Sequence, residues 1–136
     1  MSHSTIGMMF DARLQGWAAS KSLHIVYRNQ FYQPADGEIY LRVFTLPAGT
    51  ASQDLAGQHR TFAGVYQVSV IGPAGQGTLT IDSLIEELSD LYPLNARLSR
   101  KGLTVQIMTP VEQGPDIQDD TTFTIPVSFQ YRADSG

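Results

Sequence analysis

The stretch "GVYQVSVIGPAGQGTL", Gly64 to Leu79, decides how the chain is read. Its first half belongs to a strand. Taken with "HRTFA" before it, Phe62, Tyr66, Val68 and Val70 share one face, and Thr61, Gln67 and Ser69 lie on the other. Gly64 in mid-strand marks a bulge or a close backbone approach. Its second half spaces Gly72 and Gly77 as G-x-x-x-x-G, the spacing of a nucleotide-binding P-loop. A P-loop needs lysine directly after the last glycine, to reach the β- and γ-phosphates, and then Ser or Thr for Mg²⁺. Here Thr78 and Leu79 follow Gly77, and Pro73 removes a backbone N–H that a phosphate nest would use. The glycines therefore read as a turn, carrying the chain from a strand ending near Ile71 into a helix starting near Thr80.

That helix, Thr80 to Tyr92, has the clearest pattern in the chain. Ile81, Leu84, Ile85, Leu88, Leu91 and Tyr92 recur at helical spacing, and Pro93 stops the run. A second helix is expected from about Ser4 to Ala19, with Ile6, Met9, Phe10, Leu14, Trp17 and Ala18 on its apolar face. Gly7 and Gly16 weaken it by about 1 kcal/mol each against alanine. Strands are expected over Glu38–Leu46, His59–Ile71, Leu103–Met108 and Thr121–Arg132, with a shorter one in Leu23–Asn29. In the last long strand Phe123, Ile125, Val127, Phe129 and Tyr131 face one way. Pro126 cannot donate to a ladder, which predicts an edge strand or a bulge there. The order of elements lacks regular β-α alternation. It points to one α+β domain over residues 1–136, a mostly antiparallel sheet with two helices packed on one face.

Composition narrows the function. The chain of 136 residues carries a formal charge of −4 and no cysteine. That argues against a basic footprint for nucleic acid and excludes disulfides, thiolate metal sites and thiol catalysis. No apolar run reaches the length of a membrane span, and the first residues do not read as a signal peptide. His3, His24 and His59 lie far apart, in no ligand spacing. Glu86 and Glu87 are helix neighbours pointing about 100° apart, so they read as a solvated face rather than an acid–base pair. No nucleophile elbow is present. No catalytic residue, metal or cofactor is expected.

Two connections carry the remaining information. Pro47 to Gln58 is nearly uncharged and reads as a long loop, of the kind that orders against a neighbour. Val111 to Asp120 holds Glu112, Asp116, Asp119 and Asp120 with no basic residue, and reads as a mobile acidic hairpin loop. The calcium-loop pattern is absent from it.

The segments "YLRVFTLPA", "RTFAGVYQVSVIGPAGQG", "GLTVQI" and "FTIPVSFQYRAD", with the helix between, resemble the tail terminator proteins of long-tailed bacteriophages over nearly the whole chain. The resemblance implies a virion protein assembled in the host bacterial cytoplasm. It implies a ring, usually a hexamer, that caps the tail tube, ends its polymerisation and offers a joining surface to the head connector. Its partners would be its own copies, the tail tube protein and the connector protein, with no specific nucleic-acid binding. Asp54, Leu55, His59 and Arg60 are the expected subunit or tube contacts; Glu112, Asp116, Asp119 and Asp120 are expected at the lumen or connector face. The alternatives are a tube protein or head–tail adaptor, a small-ligand domain using the Gly72–Gly77 turn, and a monomeric binding domain of a prophage remnant.

Overall fold

The computed structural model describes residues 3–52, 60–100 and 102–135. Within them lie α1 (His3–Ser20), β1 (Ile25–Val26), β2 (Tyr40–Ser52), β3 (Arg60–Pro73) and α2 (Leu79–Leu91). They are followed by β4 (Arg97–Arg100), β5 (Leu103–Ile107), β6 (Glu112–Gln113), β7 (Ile117–Gln118) and β8 (Thr122–Ser135). The strands form one sheet in the order β1-β2-β3-β8-β5-β4, with β6 and β7 also paired to β8. Only β1 on β2 is parallel; every other pairing is antiparallel. The fold is therefore α+β, as its element pattern implied.

The register explains the core. Phe62, Tyr66, Val68 and Val70 of β3 stand opposite Ala133, Phe129, Val127 and Ile125 of β8, so their side chains share one face. Leu41 and Val43 of β2, and Val105 and Ile107 of β5, extend that face outward. The apolar stripe of α1, Ile6, Met9, Phe10, Leu14 and Ala18, joins the same buried cluster. So do Ile81, Leu84, Ile85 and Leu88 of α2, together with Tyr92 just beyond it. Phe10 packs on Tyr66 and edge-on to Phe129, at centroid distances of 5.1 and 5.0 Å. Tyr92 reaches the same two rings and donates its hydroxyl to the Phe10 carbonyl at 2.7 Å, tying the helices together. Trp17 and Phe123 pack against this core half-buried. On the other face a small cluster of Val26, Tyr40 and Ile71, with Tyr32 against it, covers one end of the sheet.

Gly72 and Pro73 end β3, and the chain from Ala74 to Gly77 turns towards α2, with a backbone that shows why glycine is needed. Gly75 and Gly77 sit at φ of +83° and +75°, a region that side chains disfavour. Gly64 makes a close approach. A Cβ there would overlap the Tyr131 hydroxyl and lie 2.7 Å from the Leu46 carbonyl oxygen. The bulge itself falls across the ladder on β2, where the register shifts between Pro47 and Gly49.

Three expectations are corrected. β8 is not an edge strand and carries no bulge: it runs between β3 and β5 with an unbroken register to β3. Pro126 is tolerated because its carbonyl and its missing donor point toward the gap between β6 and β7. There the Gly114 N–H donates to the Pro126 carbonyl at 2.8 Å. Residues Pro47 to Ser52 are not loop. They continue β2 along β3 as far as Ser52 opposite Arg60, so only the tip of the connection, residues 53–59, lies outside the described residues. The acidic segment is not a free hairpin loop, since Glu112, Gln113, Ile117 and Gln118 are laddered onto β8.

Candidate functional site

Of the residues expected at a subunit or tube contact, Asp54, Leu55 and His59 lie outside the described residues. Arg60 opens β3, exposed, opposite Ser52 on one side and Ser135 on the other. It stands at the far end of the paired β2 and β3 extensions.

The acidic residues come together on one short stretch beside β8. Glu112 is on β6, opposite Ser128; Asp116 lies between β6 and β7; Asp119 and Asp120 form the turn into β8. All four are exposed. Asp119 shapes the turn. One of its carboxylate oxygens accepts the backbone N–H groups of Thr121 and Thr122 at 3.1 and 2.8 Å, and the Thr122 hydroxyl at 2.9 Å. These bonds, the Thr122 backbone first, hold its carboxyl below the usual carboxylate range.

The structure also assembles a site that the sequence did not announce. A cavity of about 260 Å³ opens between α1, β2 and the segment after β1. Its lining includes Met8, Asp11, Tyr27, Arg28, Thr45 and Pro47. Asp11 is its half-buried acid. The Tyr66 hydroxyl donates to Asp11 Oδ1 at 2.5 Å, and Tyr66 is wholly buried. Loss of water around the carboxylate raises its pKa, and the Tyr66 bond opposes that rise. Burial, then the nearby Tyr92 and Asp11, push the Tyr66 hydroxyl far above the range in which a phenol ionises, so it is a permanent donor. At the cavity mouth the His3 ring meets the Tyr131 hydroxyl at 2.5 Å and packs edge-on to Phe62 at 5.3 Å. The one hint in the sequence is the interruption of "GMMF" by Asp11, a carboxylate on the apolar side of a helix.

Glu87 also does more than face solvent. It pairs with Lys21 at 2.7 Å and accepts from the Trp17 indole at 3.4 Å, linking α2 to α1. Among the described residues no three of His, Asp and Glu gather where they could hold a metal. No described helix is long and apolar enough to cross a membrane.

The sheet ends in two unlike edges. β1 covers β2 only at Leu41 and Arg42, so the outer edge of β2 from Val43 to Ser52 has no strand partner among the described residues. The opposite edge is β4, with Arg97 and Arg100 exposed. Each open edge leaves a row of backbone groups without a ladder partner among the described residues, where a further strand could pair.

Comparison with known proteins gives this geometry a family. No curated protein matches the chain. One solved structure is 37% identical, with a TM-score of 0.81, over 98% of this chain and 96% of that one. The family model described as phage tail terminator protein matches residues 5–131, from the start of α1 to the end of the β8 core. On that match the protein is a structural component of a phage tail, and the chain belongs to the phage tail terminator family.

Proposed function

We propose that the protein forms a ring, a hexamer in the simplest case, that caps the finished tail tube. It ends tube polymerisation and provides the surface to which the head connector joins. The observation that carries this reading is the family match over nearly the whole chain. The open edges of the sheet support it, because a head-to-tail contact between unlike edges makes a ring when its rotation closes. Its partners are then its own copies, the tube protein and the connector protein, and assembly takes place in the host cytoplasm.

Within that ring Arg60, with Asp54, Leu55 and His59 of the preceding connection, serves the subunit or tube contact. The acidic stretch of Glu112, Asp116, Asp119 and Asp120 serves the lumen or connector face. Acidic groups there would repel DNA phosphate and limit sticking during passage. Neutralising Asp116, Asp119 and Asp120 together is expected to slow DNA ejection and lower infectivity; virions of unchanged infectivity would remove the lumen assignment.

The deciding experiment is the mass of the protein in solution, by light scattering after size exclusion, with and without purified tail tubes. A closed ring, or a monomer that closes only on tube ends, is the expected result. Stacks of indefinite length would identify a tube protein instead.

A further inference from the structure

On the sheet face turned away from Tyr66 and Phe129, a groove of about 200 Å³ lies beside the β4 edge. Arg97, Thr104, Gln106, Met108, Arg132 and Asp134 line it. Arg97 stands opposite Gln106, which stands opposite Arg132, so two cations share one row of the sheet across β5. Both are exposed, and Arg97 makes no ion pair with a described residue. Asp134 is the one carboxylate among the lining residues, and it is already engaged. It accepts the Thr61 hydroxyl at 2.9 Å and lies 3.7 Å from Arg132. Glu112 faces the same side but stands further along β8, at the Ser128 row. The groove is therefore positive on balance and suited to a surface that carries carboxylates.

The complement lies on α2. Asp82, Glu86 and Asp90 recur at every fourth residue on its outer side, and all three are exposed. None of their carboxylates bonds or pairs with a described residue. The bases that reach α2 are taken, Lys21 by Glu87 at 2.7 Å and Arg13 by the Leu91 carbonyl at 3.2 Å. Acids four residues apart repel on a helix, and Asp90 sits in the last turn, where the helix dipole disfavours negative charge. The stripe therefore weakens the helix of an isolated subunit. α2 packs on the Tyr66 side of the sheet, with Ile81 against Gly72. Stripe and groove thus face opposite ways and cannot meet in one copy. Their spacing is commensurate: strands two apart stand about 10 Å from each other, and Asp82 and Asp90 lie about 12 Å apart along α2, within the reach of two arginine side chains.

We propose that the Arg97–Arg132 groove of one copy receives the acidic outer side of α2 from the next. The inference rests on the ring reading above and adds a subunit contact to it. The two surfaces are different patches, so the contact is head to tail, the kind that a ring repeats. Guanidinium suits it because its planar fork matches a carboxylate.

Exchange of charge tests it. One variant carries Arg97→Glu with Arg132→Glu, and the other Glu86→Lys with Asp90→Lys; all four positions are exposed. Each variant alone is expected to self-associate about tenfold or more weakly than wild type, in solution or on tube ends, wherever the wild type forms rings. Mixed, the two are expected to assemble again, because each then meets opposite charge at both surfaces. The sequence has no cysteine, so a cross-link reads the same contact without altering charge. Protein with Met108→Cys in the groove and protein with Ser83→Cys on the outer side of α2 are mixed and oxidised. A disulfide between the two batches, exceeding that within either, is expected. Rings that form normally with either charge variant, a mixture that stays apart, or cysteine batches that do not cross-link overturn the contact while leaving the ring. Loss of tube binding in the Arg97→Glu, Arg132→Glu variant with self-association intact would give the groove to the tube protein and also overturn it. A wild-type chain that stays monomeric both alone and on tube ends overturns the ring reading and this inference with it.

Discussion

Gly64 is the position where a single methyl group has nowhere to go. It is closed in by the Tyr131 ring on one side and the Leu46 carbonyl on the other, and a backbone atom cannot rotate aside. Tyr131 is held in turn by His3, and burial pushes its hydroxyl up to about 12. Gly64→Ala is expected to destabilise the fold by about 1–3 kcal/mol, the cost of overpacking, read as a shifted midpoint in chemical denaturation at unchanged slope. Asp11 makes a different prediction. Its pKa is raised in the folded protein, chiefly by desolvation. Its contribution to stability is therefore fully present below the unfolded value near 3.8 and is lost as pH rises through the folded value. Asp11→Asn is expected to gain stability relative to wild type at neutral pH and to lose that advantage in acid, as thermal melts across pH would show. A constant difference at all pH values would count against the desolvated carboxylate. The strand glycine was legible in the sequence because glycine interrupts an otherwise apolar alternation. The environment of Asp11 was not, since it is created by Tyr66, a residue far along the chain.

At the level of elements, periodicity decided what could be read. In α2 and β8 the same face is buried turn after turn or pair after pair, so their patterns stand out in the sequence. The outer part of β2, "PAGTAS", has no alternation of its own and is extended because β3 continues beside it. β4 is similar. "RLSR" holds no buried residue and pairs with β5 through backbone bonds, which sequence does not display. Pro126 misled for an instructive reason: proline excludes a strand from the middle of a sheet only where its N–H would have met a partner. β6 and β7 illustrate how little holds a short strand. Asp119 fixes the turn between β7 and β8 through bonds that lower its pKa, so this stabilisation is present above about pH 3.8 and is lost as pH falls through the folded value. Asp119→Ala is expected to speed amide exchange in residues 117–122 selectively, while the β3–β8 ladder keeps its protection. Equal acceleration everywhere would show that the turn supports the whole sheet.

Across the described residues, exposed apolar side chains are spread over the surface, Met8 and Leu46 among them, and three of the most exposed lie at one end of the sheet. Phe31 and Leu79 are almost fully exposed and Ile117 more than half. The first follows β1, the second follows the turn after β3, and the third lies on β7 near the start of β8, so all three belong to the end of the sheet opposite the paired β2 and β3 extensions. The proposed assembly gives these three a role that can be tested. Phe31→Ser with Leu79→Ser is expected to leave the melting temperature within a few degrees and to abolish binding to tube ends or to connectors. Binding to both partners unchanged would assign these residues no role in assembly. The position of β8 has a consequence in time rather than space. It pairs along its length with β3, from Arg60 opposite Ser135 to Pro73 opposite Thr122, and it is the last described strand to leave the ribosome. Until it arrives, β3 has lost its inner neighbour and β5 has none but β4. The sheet cannot close piecemeal, and folding waits on contacts between distant parts of the chain. In the proposed ring, a copy that ends before β8 lacks the strand that joins β3 to β5, and is expected to be left out rather than built in as a defective cap.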